Sequence, residues 1–118
     1  MQSSSRALRL ALVIGLCGTL AACGWVDKLK AQRAFKDANG SYKLADYKKA
    51  VEHYQEAIRL NPELTSALFY LANSYDNLYK PARAGEPDND AMLTKALEYY
   101  EDAYEKDPNP DIRKLALK

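Results

Sequence analysis

An internal repeat is the feature that most constrains how this chain folds. Sliding the sequence along itself gives matches at two offsets, one of 34 and one of 46 residues. The matching residues are Phe35, Ala38 and Asn39 with Phe69, Ala72 and Asn73, then Ala50, Glu52, Tyr54, Ala57 and Pro62 with Ala96, Glu98, Tyr100, Ala103 and Pro108. A single insertion of 12 residues between Asn73 and Ala96 accounts for both offsets. The sequence therefore predicts one supersecondary unit present twice.

Apolar residues at helical spacing indicate that both units are built from helices. Asp46 is suited to cap a helix that begins at Tyr47, and Asn61-Pro62 is suited to end it. The next helix is predicted from Thr65 to about Tyr79. Its expected buried face is formed by Leu68, Leu71, Ala72 and Tyr75.

Two more helices flank this pair. Asp90 is predicted to cap a helix whose buried stripe consists of Leu93, Ala96, Leu97, Tyr100, Ala103 and Tyr104. A first helix is expected from about Asp27 to Tyr42, with only small residues, Ala34, Ala38 and Ser41, on its packing face. We expect this first helix to be the most loosely packed part of the domain.

The repeat resembles the tetratricopeptide repeat in its 34-residue period, its two helices per unit and its closing proline. The best match runs from Ala38 to Pro62. In that family small residues lie where paired helices cross, which fits Ala50 and Ala57, and a large aromatic residue lies beside them, which fits Tyr54. The resemblance implies an all-α fold in which helix-turn-helix repeats form a short α-solenoid, preceded here by a signal-peptide helix.

The chain is expected to divide into a leader and one repeat domain. Residues 1–22 are predicted to be a lipoprotein signal peptide, residues 23–26 a lipid-anchored cysteine with a short linker, and residues 27–118 the repeat domain. Within the domain, repeat 1 covers about 31–64 and repeat 2 about 65–110, including the insertion. Residues 111–118 match the start of a third repeat, either as part of a longer protein or as a short cap.

The leader has the three parts of a secretory signal: a basic start with Arg6 and Arg9, an apolar stretch, and small residues before Cys23. The segment Leu20-Ala21-Ala22-Cys23 resembles the lipobox of bacterial lipoproteins, which implies that Cys23 carries the lipid. Gly24 is not the aspartate that retains some lipoproteins at the inner membrane, so the resemblance implies an outer-membrane anchor facing the periplasm. The alternative is an uncleaved membrane-spanning helix with an ordinary cysteine.

The distribution of charged residues and the small number of reactive side chains limit the classes of function that the chain can have. After Ala22 the chain has 15 basic and 16 acidic residues, interspersed rather than collected on one face. Such mixing is typical of solvated helices and argues against nucleic-acid binding. His53 is the one histidine, and lipid would block Cys23. We therefore expect no enzymatic activity, no catalytic residue, no cofactor and no metal site, and Asp88-Asn89-Asp90 is interpreted as helix capping rather than as a calcium loop.

The resemblance also implies a concave groove that binds protein or peptide segments. Its lining is predicted to be Phe35, Asn39, Tyr42 and Lys43 from the first unit with Phe69, Tyr70, Asn73, Asp76 and Asn77 from the second. Asparagine amides both donate and accept, so Asn39 and Asn73 are expected to hold a ligand backbone, the alternative being that exposed Asn and Tyr side chains only solvate the helices. The expected function is a lipid-anchored adaptor or scaffold of the bacterial envelope. The alternative is a structural repeat that associates with copies of itself.

Two segments outside the groove carry further expectations. The insertion Lys80–Asp90 is predicted to be a loop, either a partner contact or a tolerated surface insertion. Gly24, Trp25 and Val26 are expected to form a short extended link before a helix capped by Asp27, which would hold the domain against the membrane. Trp25 is then predicted to lie in the lipid interface, the alternative being that it packs on Ala34 and Ala38.

Overall fold

Five α-helices form the fold of this computed structural model, which describes the backbone of residues 3–118 and the side chains of residues 23–118. They are α1 (Ser3–Lys43), α2 (Tyr47–Leu60), α3 (Ser66–Leu78), α4 (Pro87–Lys106) and α5 (Pro110–Ala116), with a short 3-10 helix at Pro81–Arg83. No strand occurs in the described residues. Each helix packs against the next one along the chain, which confirms the predicted all-α helical repeat.

The first helix pair packs through small side chains. Ala31 and Ala38 of α1 are fully buried and Ala34 is 9% exposed. Ala50 and Ala57 of α2 are also fully buried. Because alanine side chains let two helix backbones approach closely, large apolar residues are not needed here. The prediction that this helix is the most loosely packed is therefore wrong, and α5, which has no buried residue, is the loosest part of the described chain.

The start of α1 differs from the prediction. Helix α1 continues without a break through Gly24, Trp25 and Val26, so Asp27 does not cap a new helix there. The expected extended link is thus wrong. Within a helix these residues satisfy their backbone hydrogen bonds locally, and the space around Gly24 is open. The predicted signal peptide, residues 1–22, lies outside the residues whose side chains are described, and no described helix is long and apolar enough to cross a bilayer.

Repeat 1 is closed by local polar contacts that the sequence predicted. The Asp46 carboxylate accepts a hydrogen bond from the Lys49 backbone N–H at 3.3 Å and caps α2. Ala45, just before this cap, takes a left-handed conformation with φ of 57°. Helix α2 ends at Leu60, directly before Asn61, as predicted.

The predicted buried residues of α3, Leu68, Leu71, Ala72 and Tyr75, are all buried.

The insertion is more ordered than the predicted loop. Asn89, only 5% exposed, accepts a hydrogen bond from the Lys80 N–H at 2.8 Å and donates to the carbonyls of Lys80 and Arg83, each at 3.0 Å. Asp90 accepts from the Gly85 N–H. Helix α4 therefore begins at Pro87, and Asp90 lies inside its first turn rather than at the predicted cap.

Helix α4 buries less of its apolar stripe than predicted. Ala96 and Ala103 are buried against the rest of the domain. Leu93, Leu97 and Tyr104 are exposed by 36%, 61% and 37%. The prediction that these three are buried is wrong, because the short helix α5 leaves part of α4 uncovered.

Candidate partner-binding groove

Four aromatic rings from three helices form a packed cluster between the repeats. Tyr70 of α3 lies at its centre, with ring centroids 5.8 Å from Tyr42, 6.0 Å from Tyr54 and 6.5 Å from Phe35. Tyr54 is fully buried, while the others are half-buried. Rings at these separations stabilise one another beyond simple burial. This aromatic cluster therefore forms a rigid wall on the α1 side of α3.

Both asparagines predicted to hold a ligand are engaged within the domain. The Tyr54 hydroxyl donates to Asn39 Oδ1 at 2.6 Å, and the Tyr42 hydroxyl donates to Asn73 Oδ1 at 2.5 Å. Asn73 Nδ2 donates in turn to the Tyr100 hydroxyl at 3.0 Å. The Asn73 amide thus links α1, α3 and α4. A structural role is therefore established by these contacts, while ligand binding by either amide stays a prediction.

The tyrosine hydroxyls in these hydrogen bonds are held in their neutral form. Burial, followed by the neighbouring tyrosines, raises the pKa of Tyr54 far above its usual value near 10. Burial is also the main cause that raises the pKa of Tyr42 and of Tyr100. A neutral phenol can donate a hydrogen bond, and a phenolate cannot. The hydrogen bond to Asn39 and the separate pair of hydrogen bonds at Asn73 are consequently both present throughout the neutral pH range.

An open cavity of about 750 Å³ lies on the other side of α3, where α3, α4 and α5 meet. Of the nine predicted groove residues, Phe69, Asn73 and Asp76 line it. Its remaining walls are mostly apolar and come from residues that the prediction omitted: Leu93, Leu97, Tyr100, Tyr104, Leu115 and Leu117. We call this cavity the α4 groove. Its size is within the range of ligand-binding clefts.

The other six predicted residues lie away from the α4 groove. Phe35, Tyr42 and Tyr70 belong to the aromatic cluster, and Asn39 is bonded to Tyr54 beside it. Lys43 is exposed at the end of α1. Asn77 is exposed on α3 and donates to the backbone carbonyl of Asn73 at 2.7 Å. The described structure therefore divides the predicted site into a packed wall and an open groove.

The sequence contains a signal for the omitted residues. The spacing of Leu93 and Leu97 matches an apolar helix face, and the sequence therefore predicts that both are buried. Helix α5 has seven residues against 13 for α3, so it is too short to cover such a face. In the described structure, Leu93 and Leu97 therefore stand on the wall of the α4 groove.

A second cavity, of about 500 Å³, adjoins the insertion on the opposite side of the domain. Lys80 and Arg83 line it together with the apolar side chains of Val51, Leu78 and Met92. Within the described residues, no group of three or more His, Cys, Asp or Glu side chains is arranged to hold a metal ion. The α4 groove is the larger and more apolar candidate site.

The fold and the packed helix pairs define an α-helical repeat module. The family model described as "Tetratricopeptide repeat" matches residues 38–64, which are the end of α1, all of α2 and the following turn. This stretch is therefore similar to a single tetratricopeptide repeat. The second unit, after residue 64, is assigned by the internal repeat and by its helices.

A curated relative matches about half of the chain. The chain is 36% identical over 66 residues to the photosystem I assembly protein Ycf3 of Rippkaea orientalis. The matched stretch is 54% of this chain and 38% of that protein, so the chain spans less than half of the relative's length. Tetratricopeptide repeats are protein-interaction modules, so the match at residues 38–64 suggests a protein-interaction role.

Proposed function

We propose that this protein is a lipid-anchored, non-enzymatic adaptor of the bacterial cell envelope that binds a protein partner in the α4 groove. The observation that carries the proposal is the exposure of Leu97 and Leu117, by 61% and 67%, beside the half-buried Phe69. Isolated exposed leucines need no explanation, but several lining one concave groove indicate a binding surface. Asp76 and Glu101 on the same groove provide polar contacts that would orient a ligand.

The lipid anchor is supported by the lipobox-like segment before Cys23 and by the exposure of that cysteine. Because α1 is helical from there to Lys43, a lipid on Cys23 would hold a stiff helix rather than a flexible tether. Metabolic labelling with a palmitate analogue should therefore tag the wild-type chain and not Cys23→Ser. An untagged wild-type chain, or processing that is insensitive to globomycin, would contradict the anchor and favour an uncleaved helix.

Contact with the lipid surface is proposed for the first described turns of α1. Trp25 and Leu29 are exposed by 68% and 58%, and the basic residues Lys28, Lys30 and Arg33 are exposed on the same helix. The exposure of Trp25 argues against the alternative that it packs on the first helix pair. Because Trp25 is the single tryptophan, its quenching by brominated acyl chains measures this contact directly. An unquenched spectrum in vesicles would exclude it.

The name of the relative suggests what such an adaptor would do. That relative is a photosystem I assembly protein. We infer that this chain likewise assists the assembly of a membrane-associated complex, here in the envelope. Its partner would then be a subunit that is still incompletely assembled.

Site-specific crosslinking in the full lipidated chain tests the binding function. A photoreactive amino acid at the exposed position Asp76, in the α4 groove, should capture a partner in intact membranes. The same residue at Lys49, exposed on α2, serves as the matched control. Equal adducts from both positions, or adducts from neither, would reject the groove. Asn73 is unsuitable for this purpose, because replacing it would also break the links between α1, α3 and α4.

Self-association remains the alternative function, since a second copy has apolar residues that would also cover Leu97 and Leu117. Sedimentation equilibrium distinguishes the two functions. A dimer that forms without any partner and is lost in Leu97→Asp would favour the alternative, whereas a monomer favours the adaptor.

A further inference from the structure

The near balance of charge after Ala22 conceals a difference between α1 and the rest of the domain. Residues 23–43, the part of α1 whose side chains are described, contain five basic and two acidic residues, which gives a formal charge of +3. Residues 44–118 contain 10 basic and 14 acidic residues, which gives a formal charge of −4. The described domain is therefore electrically asymmetric, with α1 as its positive part.

Much of the positive charge of α1 lies on one exposed face. Six exposed residues follow one another at spacings of three or four positions, so they share a face of the helix. We call this face the α1 stripe, and its members are Trp25, Leu29, Arg33, Lys36, Gly40 and Lys43. The buried alanines that pack α1 against the domain lie on the opposite side of the helix. The α1 stripe is thus apolar toward its first residues and basic toward its last.

The basic residues of the α1 stripe are not neutralised by the described part of the chain. No ion pair within the described side chains includes Arg33, Lys36 or Lys43. Lys28, which lies off the stripe, pairs with Glu63 at 3.5 Å. Neither acidic residue of this part of α1 lies on the stripe. The stripe therefore presents three cations beside two exposed apolar side chains.

We propose that α1 lies along an anionic lipid surface, with the α1 stripe facing the headgroups. The inference rests on the lipid contact proposed above for the first described turns of α1, names the class of lipid and extends the contact to Lys43. Trp25 and Leu29 enter the interface, while the basic residues bind the phosphates of anionic lipids such as phosphatidylglycerol. Residues 44–118 are negative overall and are repelled by such a surface, so α1 is the part of the domain that approaches it.

The length of the α1 stripe distinguishes a lying helix from an upright one. In an upright helix, Lys36 and Lys43 would stand about 16 and 27 Å above Trp25, beyond the screening length of about 8 Å at physiological salt. Both lysines would then contribute little to membrane binding. In a lying helix they contact the headgroups together with Arg33. The lipid dependence of the end of α1 therefore tests the orientation.

The full chain in vesicles is used for the test, with a fluorescent amino acid at position 40 and a nitroxide quencher on the lipid headgroups. Gly40 lies on the stripe between Lys36 and Lys43, and nothing lies within 4 Å of an added Cβ atom there. The matched control carries the same fluorescent amino acid at Glu98, exposed on α4. In an equimolar mixture of phosphatidylcholine and phosphatidylglycerol, position 40 should be strongly quenched and position 98 should not. In phosphatidylcholine alone, quenching at position 40 should be largely lost.

Two charge-reversal variants identify the responsible face. Each lysine near an anionic surface is worth about fivefold, so Lys36→Glu/Lys43→Glu should lower the ratio of lying to upright α1 at least about tenfold. This decrease is measured as loss of quenching at position 40. Lys114→Glu/Lys118→Glu is the matched control, because it makes the same change in net charge at two exposed lysines in and after α5. It should be quenched as the wild type is. A cooperative thermal transition followed by circular dichroism confirms that each variant is folded.

Three results would overturn the inference: quenching at position 40 that does not depend on phosphatidylglycerol, equal quenching at positions 40 and 98, or equal losses in the two charge-reversal variants. A photoreactive amino acid at position 40 that captures a protein in intact membranes, without quenching in protein-free vesicles, would instead identify the stripe as a site for an acidic protein.

Quenching of Trp25 by brominated acyl chains in the same vesicles separates this failure from failure of the lipid contact. If Trp25 is quenched and position 40 is not, the contact of the first turns stands and the lying orientation is wrong. If neither is quenched, both proposals fail. Palmitate labelling of Cys23 reports on the anchor independently of either result.

Discussion

Repeat 1 and repeat 2 share their inner helix contacts and differ in the face that they present outward. Ala50 and Ala57 are fully buried in α2, and their counterparts Ala96 and Ala103 are buried in α4. Away from these alanine contacts the repeats differ: Tyr54 is fully buried, whereas its counterpart Tyr100 is half-buried. The comparison shows that the small residues determine how the helices of a pair cross, while the next helix along the chain determines what becomes core.

The largest expected effect comes from removing the aromatic ring at equivalent positions. Tyr54→Ala should lower the free energy of unfolding by about 3–5 kcal/mol, because it leaves a cavity in the core and removes the hydrogen bond to Asn39. Tyr100→Ala should cost about half as much, since Tyr100 already borders the open groove. Urea denaturation of both variants measures the difference. Equal losses would mean that the two repeats are equally covered.

A smaller difference is expected between the polar residues that hold the two turns. Asn89→Ala should cost about 2 kcal/mol, because it removes three hydrogen bonds from a buried amide and leaves Lys80 and Arg83 backbone groups unpaired. Asp46→Ala removes one exposed capping bond and should cost about 1 kcal/mol. Thermal denaturation compares them. A larger loss for Asp46→Ala would indicate that the insertion contributes little to repeat 2.

Backbone strain before the two helices gives a still smaller effect. Ala45 precedes the cap of α2 with φ of 57°, and Gly85 precedes the cap of α4 with φ of 94°. Gly85→Ala should destabilise by about 1 kcal/mol, although nothing lies within 4 Å of the added methyl group. Ala45→Gly should change stability by less than about 1 kcal/mol, because relief of strain is offset by greater freedom of the unfolded chain. Chemical denaturation measures both changes, and a loss in Ala45→Gly as large as that in Gly85→Ala would contradict the prediction.

The smallest effect at neutral pH concerns the tyrosine hydroxyls. The pKa values of Tyr42, Tyr54 and Tyr100 are raised in the folded chain, so above pH 10 an unfolded chain loses these protons while the folded chain keeps them. Stability is then unaffected below pH 10 and falls as the pH rises above it. Tyr54→Phe should flatten this alkaline decrease more than Tyr79→Phe, a control whose hydroxyl makes no hydrogen bond among the described residues. If stability falls with pH as steeply in Tyr54→Phe as in the wild type, Tyr54 is not the main contributor to the alkaline decrease.

Local features of this fold could be predicted from the sequence, and the covering of one helix by another could not. The Asp46 cap, the end of α2 at Asn61 and the buried face of α3 each depend on a few neighbouring residues. By contrast, the sequence pattern of Leu97 is the same whether or not a later helix lies over it. Its exposure depends on the length of α5, and the continuous helix through Trp25 depends on residues beyond the repeat.

In the candidate site, too, some features could be predicted from the sequence and others could not. Phe69, Asn73 and Asp76 could be assigned to the groove because the repeat places them on α3. The hydrogen bonds from Tyr42 to Asn73 and from Tyr54 to Asn39 join residues 31 and 15 positions apart, and no sequence spacing indicates them. Polar residues of a groove can therefore be identified from a repeat, but their internal partners require the folded arrangement.

The Asn73 side-chain amide connects the α4 groove to helix α1 of the first repeat through hydrogen bonds. One end of this amide accepts from Tyr42 on α1, and the other donates to Tyr100 on the groove wall. Movement of this amide toward a ligand would lengthen the hydrogen bond from Tyr42, so we expect the end of α1 to respond when the α4 groove is occupied. Backbone hydrogen exchange near Tyr42 would then report binding in a segment that the ligand never touches.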